Sequence, residues 1–241
     1  MTTNDAIVLR DVRRTYRLGR TLVPALESVT VDFRRGEFTA IAGPSGSGKT
    51  TILNIVGCID KADGGELIID GRDVTAQPLH KLADLRNRYF GYVFQTFNLI
   101  AVLTAYENVE YPLLLAGVGR AERRERVSQM LAAVGLLQHA KHKPSELSGG
   151  QRQRVAIARA LVTRPLAVLA DEPTANLDSK TGAELLDLMV ELNETEKVTF
   201  LFSTHDPKVI GRARRVLSLR DGRLEEEQSE APRAIAAGGV A

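Results

Sequence analysis

Cysteine is almost absent: Cys58 stands alone, so an intramolecular disulfide is excluded, and together with 4 scattered histidines it makes no metal-ligating cluster. A reducing cytoplasm is the expected compartment. Charge of one sign is not in excess either, since 32 Lys and Arg stand against 30 Asp and Glu. That balance argues against a surface built to coat nucleic acid. Residues 1–20 carry Asp5, Arg10, Asp11, Arg13 and Arg14 among short apolar stretches, so the continuous apolar core of a signal peptide is missing. One uncharged stretch, Tyr89 to Tyr106, reaches the length of a bilayer span but is broken by Gly91, Gln95, Thr96, Asn98 and Thr104. Its aromatic and β-branched content predicts a buried strand followed by a loop. Any membrane role therefore falls to a partner and not to direct insertion.

The 241 residues, 44% of them hydrophobic, suffice for one compact domain with a substantial core. From Ile7 to about Val74 the pattern is strand-like, with short strands at 29–33 and 67–69 bounded by Arg35-Gly36-Glu37, Asp63-Gly64-Gly65 and Asp70-Gly71. Between them an apolar strand, Phe38 to Ala42, runs into a glycine-rich loop and a predicted helix from Lys49 to Val56, stopped by Gly57. Further helices are predicted over 121–134, 151–162 and 179–192, and strands over 167–170 and 198–203. Strands alternating with helices build a parallel sheet, so the fold class is α/β. After Leu224 the run Glu225-Glu226-Glu227 and an Ala, Gly and Pro-rich segment offer few large apolar groups, which predicts a loose tail over 226–241.

Gly43-Pro44-Ser45-Gly46-Ser47-Gly48-Lys49-Thr50 matches G-x-x-x-x-G-K-[ST] between strand and helix, the phosphate loop. Its backbone N–H groups can curl around anionic oxygens at a helix N-terminus. Lys49 would face the β- and γ-phosphates and the Thr50 hydroxyl would ligate Mg²⁺. Asp171 and Glu172 end the apolar strand starting at Ala167, where ligands bind in open α/β sheets. Asp171 suits a Mg²⁺ ligand and Glu172 a general base for an attacking water. Leu147-Ser148-Gly149-Gly150-Gln151 then opens a helix, so a hydroxyl and two glycines present backbone donors as a second anion site. Ser148 is equally able to act as a simple helix cap. Cys58 reads as a small buried apolar group, and His139 with His142 as loop polarity.

With that third motif the chain resembles the ABC ATPase family over about residues 5–225. The resemblance implies a RecA-like P-loop NTPase core with a mainly parallel sheet, an antiparallel β subdomain and an α-helical subdomain at about 96–160. It implies an ATPase domain over 1–225 that uses ATP and Mg²⁺. It also implies roles for single residues. Gln95 contacts Mg²⁺ and senses a membrane partner, and His205 hydrogen-bonds the γ-phosphate region. Thr51 continues the phosphate loop, and Tyr16 stacks on adenine. Asp178 belongs to the Asn176-Leu177-Asp178 segment, where the family often has a small residue in place of Asn176; it can equally cap the following helix. Ser148, Gly149, Gly150 and Gln151 cap the nucleotide of a second ATPase subunit, so the ATP-bound state is a homodimer.

The stretches Leu53 to Asp60 and Phe94 to Ile100, with Leu103-Thr104-Ala105, are similar to the lipoprotein-release and macrolide-export class. That likeness implies an integral membrane permease as partner and a place at the cytoplasmic face of the inner membrane. Phe97, Leu99, Ile100 and Leu103 are the expected docking surface for a cytoplasmic helix of that permease, the alternative being that they pack under the helical subdomain. A soluble ABC ATPase of DNA repair or the ribosome is the competing reading. The short distance between Lys49 and Ser148 leaves no room for a long coiled coil or zinc module. A P-loop kinase would leave the Ser148 motif and His205 unexplained.

Overall fold

The computed structural model describes residues 4–229. In chain order the elements are β1 (Asp5–Leu18), β2 (Thr21–Arg34), β3 (Phe38–Ala42), α1 (Lys49–Val56), β4 (Gly64–Ile69), β5 (Arg72–Asp73), α2 (Ala83–Tyr89), β6 (Phe90–Val93) and α3 (Ala105–Leu115). They continue as α4 (Arg120–Ala133), α5 (Gly149–Leu161), β7 (Ala167–Asp171), α6 (Ser179–Glu196), β8 (Thr199–Thr204), α7 (Pro207–Ile210), β9 (Arg215–Arg220) and β10 (Arg223–Ser229). A 4-stranded antiparallel sheet has the order β2-β1-β4-β5. A 6-stranded sheet has the order β10-β9-β3-β8-β7-β6 and is parallel except at β10.

Side chains alternate across the larger sheet, because successive Cβ atoms of a strand point to opposite faces. Phe38, Phe200, Phe202, Val168 and Ala170 face a core shared with α3 to α6. Ile41, Leu201, Leu169, Leu217 and Leu219 face a second core shared with α1 and the antiparallel sheet. Burial of β3 and β8 on both faces explains why they read as largely apolar strands without polar alternation, their few threonines and serine being buried too. The expected strand and loop occupy Tyr89 to Tyr106: β6 is followed by irregular chain up to Thr104, which caps α3 in a box with Glu107. Buried Asn108 folds that loop onto α3, accepting from Ile100 N–H and donating to the carbonyls of Ile100, Leu103 and Thr104. Among the described residues no helix is long and apolar enough to cross a membrane.

Two expectations change. The first strands are not short: β1 and β2 each run 14 residues, with bulges that break their alternation. Asp11 and Ser28 sit there at φ 50 and 56, so the sequence pattern looks like separate pieces. The tail does not begin at residue 226 either, because β10 continues to Ser229 in antiparallel register with β9. Backbone pairing on a sheet edge needs no apolar side chains, and Glu227 is held by the buried Arg215. Residues 230–241 of the expected tail lie outside the described residues.

Candidate active site

The C-terminal ends of parallel strands β3, β6, β7 and β8 lie side by side, and the phosphate loop, Gln95, Asp171 with Glu172, and His205 sit at or just after them, whereas Ser148 to Gln151 open α5. Gly43 leaves β3 where a Cβ would lie 2.1 Å from the Leu219 carbonyl oxygen. Gly48, at φ 106, precedes α1 where a Cβ would lie 2.4 Å from the Ala25 carbonyl oxygen. Only glycine fits either position. The turn between β9 and β10 braces the loop, with Gly222 N–H donating to the Ser47 carbonyl at 3.0 Å. Gly222 in turn accepts from Glu27 N–H at 2.8 Å.

Lys49 is buried, and its Nζ donates to the carbonyls of Gly43 (2.8 Å) and Pro44 (2.9 Å). The loop is thus closed over its own ammonium group, leaving one N–H of three for an anion. Ser47 is 2% exposed and its hydroxyl oxygen has no partner among the described residues. Thr50 Oγ1 donates to Asp171 at 3.1 and 3.3 Å from the two carboxylate oxygens. Pro44, Ser45 and Gly46 form the exposed crest of the loop, and Thr51 is buried at its base.

Glu172 follows β7 with φ 46, a left-handed conformation costly for a side chain with a Cβ. Its N–H donates to the Ser203 carbonyl at 2.9 Å, continuing the β7–β8 pairing past the last strand residue. One carboxylate oxygen lies 2.6 Å from His205 Nδ1, and the other accepts from Thr204 Oγ1 at 3.4 Å. His205 is well exposed while Glu172 is mostly covered. Lys49, Thr50, Asp171, Glu172 and His205 therefore share one end of the sheet.

Gln95 is exposed after β6, and its carbonyl accepts from Asn176 Nδ2 at 2.9 Å. Thr50 and Asp171 bring a hydroxyl and a carboxylate together, and oxygen donors of this kind suit a hard divalent cation held partly by substrate. Among the described residues no three His, Cys, Asp or Glu side chains converge. Ser148 caps α5 in a box with Gln151, accepting from Gln151 N–H at 3.2 Å while Gln151 Oε1 accepts from Ser148 N–H at 2.8 Å. Among the described residues no hydrogen bond joins Ser148, Gly149, Gly150 or Gln151 to residues 43–50. Asp178 caps α6, accepting from Lys180 and Thr181 N–H groups, and the Thr181 hydroxyl holds its carboxyl below the usual range. Tyr16 donates to Asp60 at 2.7 Å and carries the Arg14 guanidinium 4.7 Å above one ring face, so stacking is left to its other face.

Residues 26–175 match the family model described as ABC transporter. The chain belongs to the ABC transporter family. A macrolide export ATP-binding/permease protein MacB of Syntrophobacter fumaroxidans is 49% identical over 92% of this chain, which spans 32% of that longer protein. An ABC transporter ATP-binding protein of Thermotoga maritima is 47% identical over 90% of this chain and 92% of its own length. The dimeric post-hydrolysis structure of the ATP-binding cassette MJ0796, bound to ADP and Pi, superposes with a TM-score of 0.84 at 44% identity, covering 92% of this chain and 98% of that one. This ABC cassette has the P-loop fold of those structures and is an ATPase.

Three residues of the site escaped the sequence reading. Thr204 orders Glu172 and accepts from Asp206 N–H at 2.9 Å. Gln153 is fully buried in α5 and donates to the Pro173 carbonyl at 2.7 Å. A glutamine on the apolar face of α5 was the available signal. Arg159, on the same helix, had none, since its partners are backbone carbonyls that no sequence pattern marks.

Proposed function

We propose that this chain hydrolyses ATP with Mg²⁺ in a head-to-tail homodimer, at the cytoplasmic face of the membrane, and thereby drives an integral permease of the lipoprotein-release or macrolide-export kind. The observation that carries it is the contact of 2.6 Å between Glu172 and His205, at the ends of adjacent strands and at the same end of the sheet as Lys49, Thr50 and Asp171. When nucleotide enters, Lys49 exchanges loop carbonyls for phosphate oxygens, and the N–H groups of Gly46 to Thr51 complete the cradle. Thr50, Asp171 and Gln95 are the residues that would hold Mg²⁺, which when bound offsets charge on the phosphate oxygens. Glu172 accepts the proton of the attacking water, and His205, hydrogen-bonded to that carboxylate, orients it and faces the γ-phosphate. Tyr16 receives the adenine. Ser148, Gly149, Gly150 and Gln151 cap the nucleotide of the second subunit, with Asp178 beside that seam.

Glu172→Gln keeps size and removes the base. Phosphate release should fall by about 10²-fold or more with ATP binding retained. Hydrolysis by this variant at the parental rate assigns the base elsewhere.

The docking surface divides in two. Leu99 packs on the helical core and Phe97 is half-buried. Ile100, Val102, Tyr111, Leu114 and Leu115 remain exposed, and Leu115 lines a groove of about 430 Å³ with Phe94, Pro112 and Arg159. Apolar side chains around such a groove suit an apolar helix of the permease.

A further inference from the structure

Four of the five carbonyls from Phe94 to Asn98 accept from side chains of other elements. Gln153 reaches the Phe94 carbonyl at 3.4 Å, and Asn176 reaches that of Gln95 at 2.9 Å. Arg159 spreads its guanidinium over the carbonyls of Phe97 (3.0 Å) and Asn98 (2.6 Å). Those two residues stand at φ 63 and 46, a left-handed pair that turns both carbonyls toward the arginine. The Arg152 guanidinium lies 5.0 Å from the Phe97 ring centroid on the same loop.

Arg159 has no carboxylate partner among the described residues, and burial depresses its pKa. A guanidinium stays charged in proteins, so the two carbonyl dipoles are what compensate it. Swinging the loop away would cost the half-buried guanidinium, which lines the groove beside Phe94 and Leu115, both of its carbonyl partners, and that loss makes the contact a latch. The latch sits about 15 Å along α5 from Gly149, at 1.5 Å per residue. The Asn176 contact binds the same loop to the segment that follows Glu172.

We propose that Arg159 and Asn176 are positioning residues for Gln95, gripping its loop by the backbone so that its side chain moves with the Ser148-bearing helix and with the Glu172 segment. This rests on the reading above in which Gln95 helps hold Mg²⁺. Asn176 matters because a smaller side chain at that position could not span the 2.9 Å contact to the Gln95 carbonyl.

The test uses the full chain and the variants Arg159→Lys, Asn176→Ala and Gln95→Ala, with two readouts. Lysine keeps the charge but lacks the planar fork. ATP affinity in EDTA should match the parent in all three, because none touches the phosphate loop. The Mg²⁺ concentration for half-maximal hydrolysis should rise about three- to tenfold in each, the scale of one lost hydrogen bond. Asn176→Ala added to Gln95→Ala should raise it no further. A parental Mg²⁺ requirement in Arg159→Lys and Asn176→Ala, with a shift in Gln95→Ala, overturns the latch and leaves the Gln95 reading standing. A parental requirement in Gln95→Ala removes that reading and the inference with it. Additive effects in the double variant overturn the latch as well. Should Arg159→Lys fail to fold, the exposed Asn176 carries the test alone.

Discussion

At the residue scale the site is built from strained positions that neighbours hold in place. Glu172 at φ 46 would relax if free, since such backbone costs of order 1–3 kcal/mol. Its N–H bond to Ser203 and its carboxylate bonds to Thr204 and His205 fix it from three sides. Gly48 is the complementary case, where strain is avoided by the absence of a side chain. Gly48→Ala would drive a methyl toward the Ala25 carbonyl, 2.4 Å away, at φ 106. It should cost about 2–3 kcal/mol in urea unfolding and weaken ATP binding at least about tenfold. Full ATP affinity in that variant would mean the loop re-forms without its φ. Motif residues such as Lys49 and Asp171 were legible because strand ends and turn chemistry announce them. Arg159 and Thr204 were not, because their roles depend on carbonyl and carboxylate positions set by distant segments.

At the element scale, α3 and β10 were the least legible pieces. Pro112 inside α3 and an uncharged approach hid its periodicity, yet Thr104, Glu107 and Asn108 fix its start. Beside the loop this helix supports, Val102 and Leu115 are 74% and 64% exposed, so they can be changed without touching the core. Val102→Ser with Leu115→Ser should leave basal ATPase within about two-fold, since surface changes shift stability little. Co-purification with the permease should be lost. Retained co-purification would move the docking surface elsewhere. β10 is secured by Arg215, 5% exposed, which bonds Glu37 at 3.2 Å and Glu227 at 2.8 Å. Arg215→Ala leaves Glu37 half of a broken buried network, and unfolding free energy should drop by about 3 kcal/mol. A drop within the error of urea titration would show that backbone pairing alone holds the strand.

At the scale of the whole molecule, one chain carries one phosphate loop and one Ser148 motif that do not bond each other, and a complete site calls for two copies on a two-fold axis. Glu172→Gln with Mg²⁺ and ATP should sediment as a dimer, and adding Ser148→Arg should return it to monomer. A monomer in the first case, or a dimer in the second, would refute the head-to-tail seam. The parallel sheet and its order of chemistry were readable from apolar strands alternating with helices. The lengths of β1 and β2 were not, since bulges reset the alternation that reveals a strand. The contact of Gly222 with Ser47 places the last hairpin against one of the earliest functional segments. During synthesis at 5–20 residues per second, roughly 10 to 30 s separate translation of Thr50 from that of Gly222. Through that interval the nascent phosphate loop lacks its brace, so nucleotide affinity should arrive only once residue 222 has delivered the turn that closes the site.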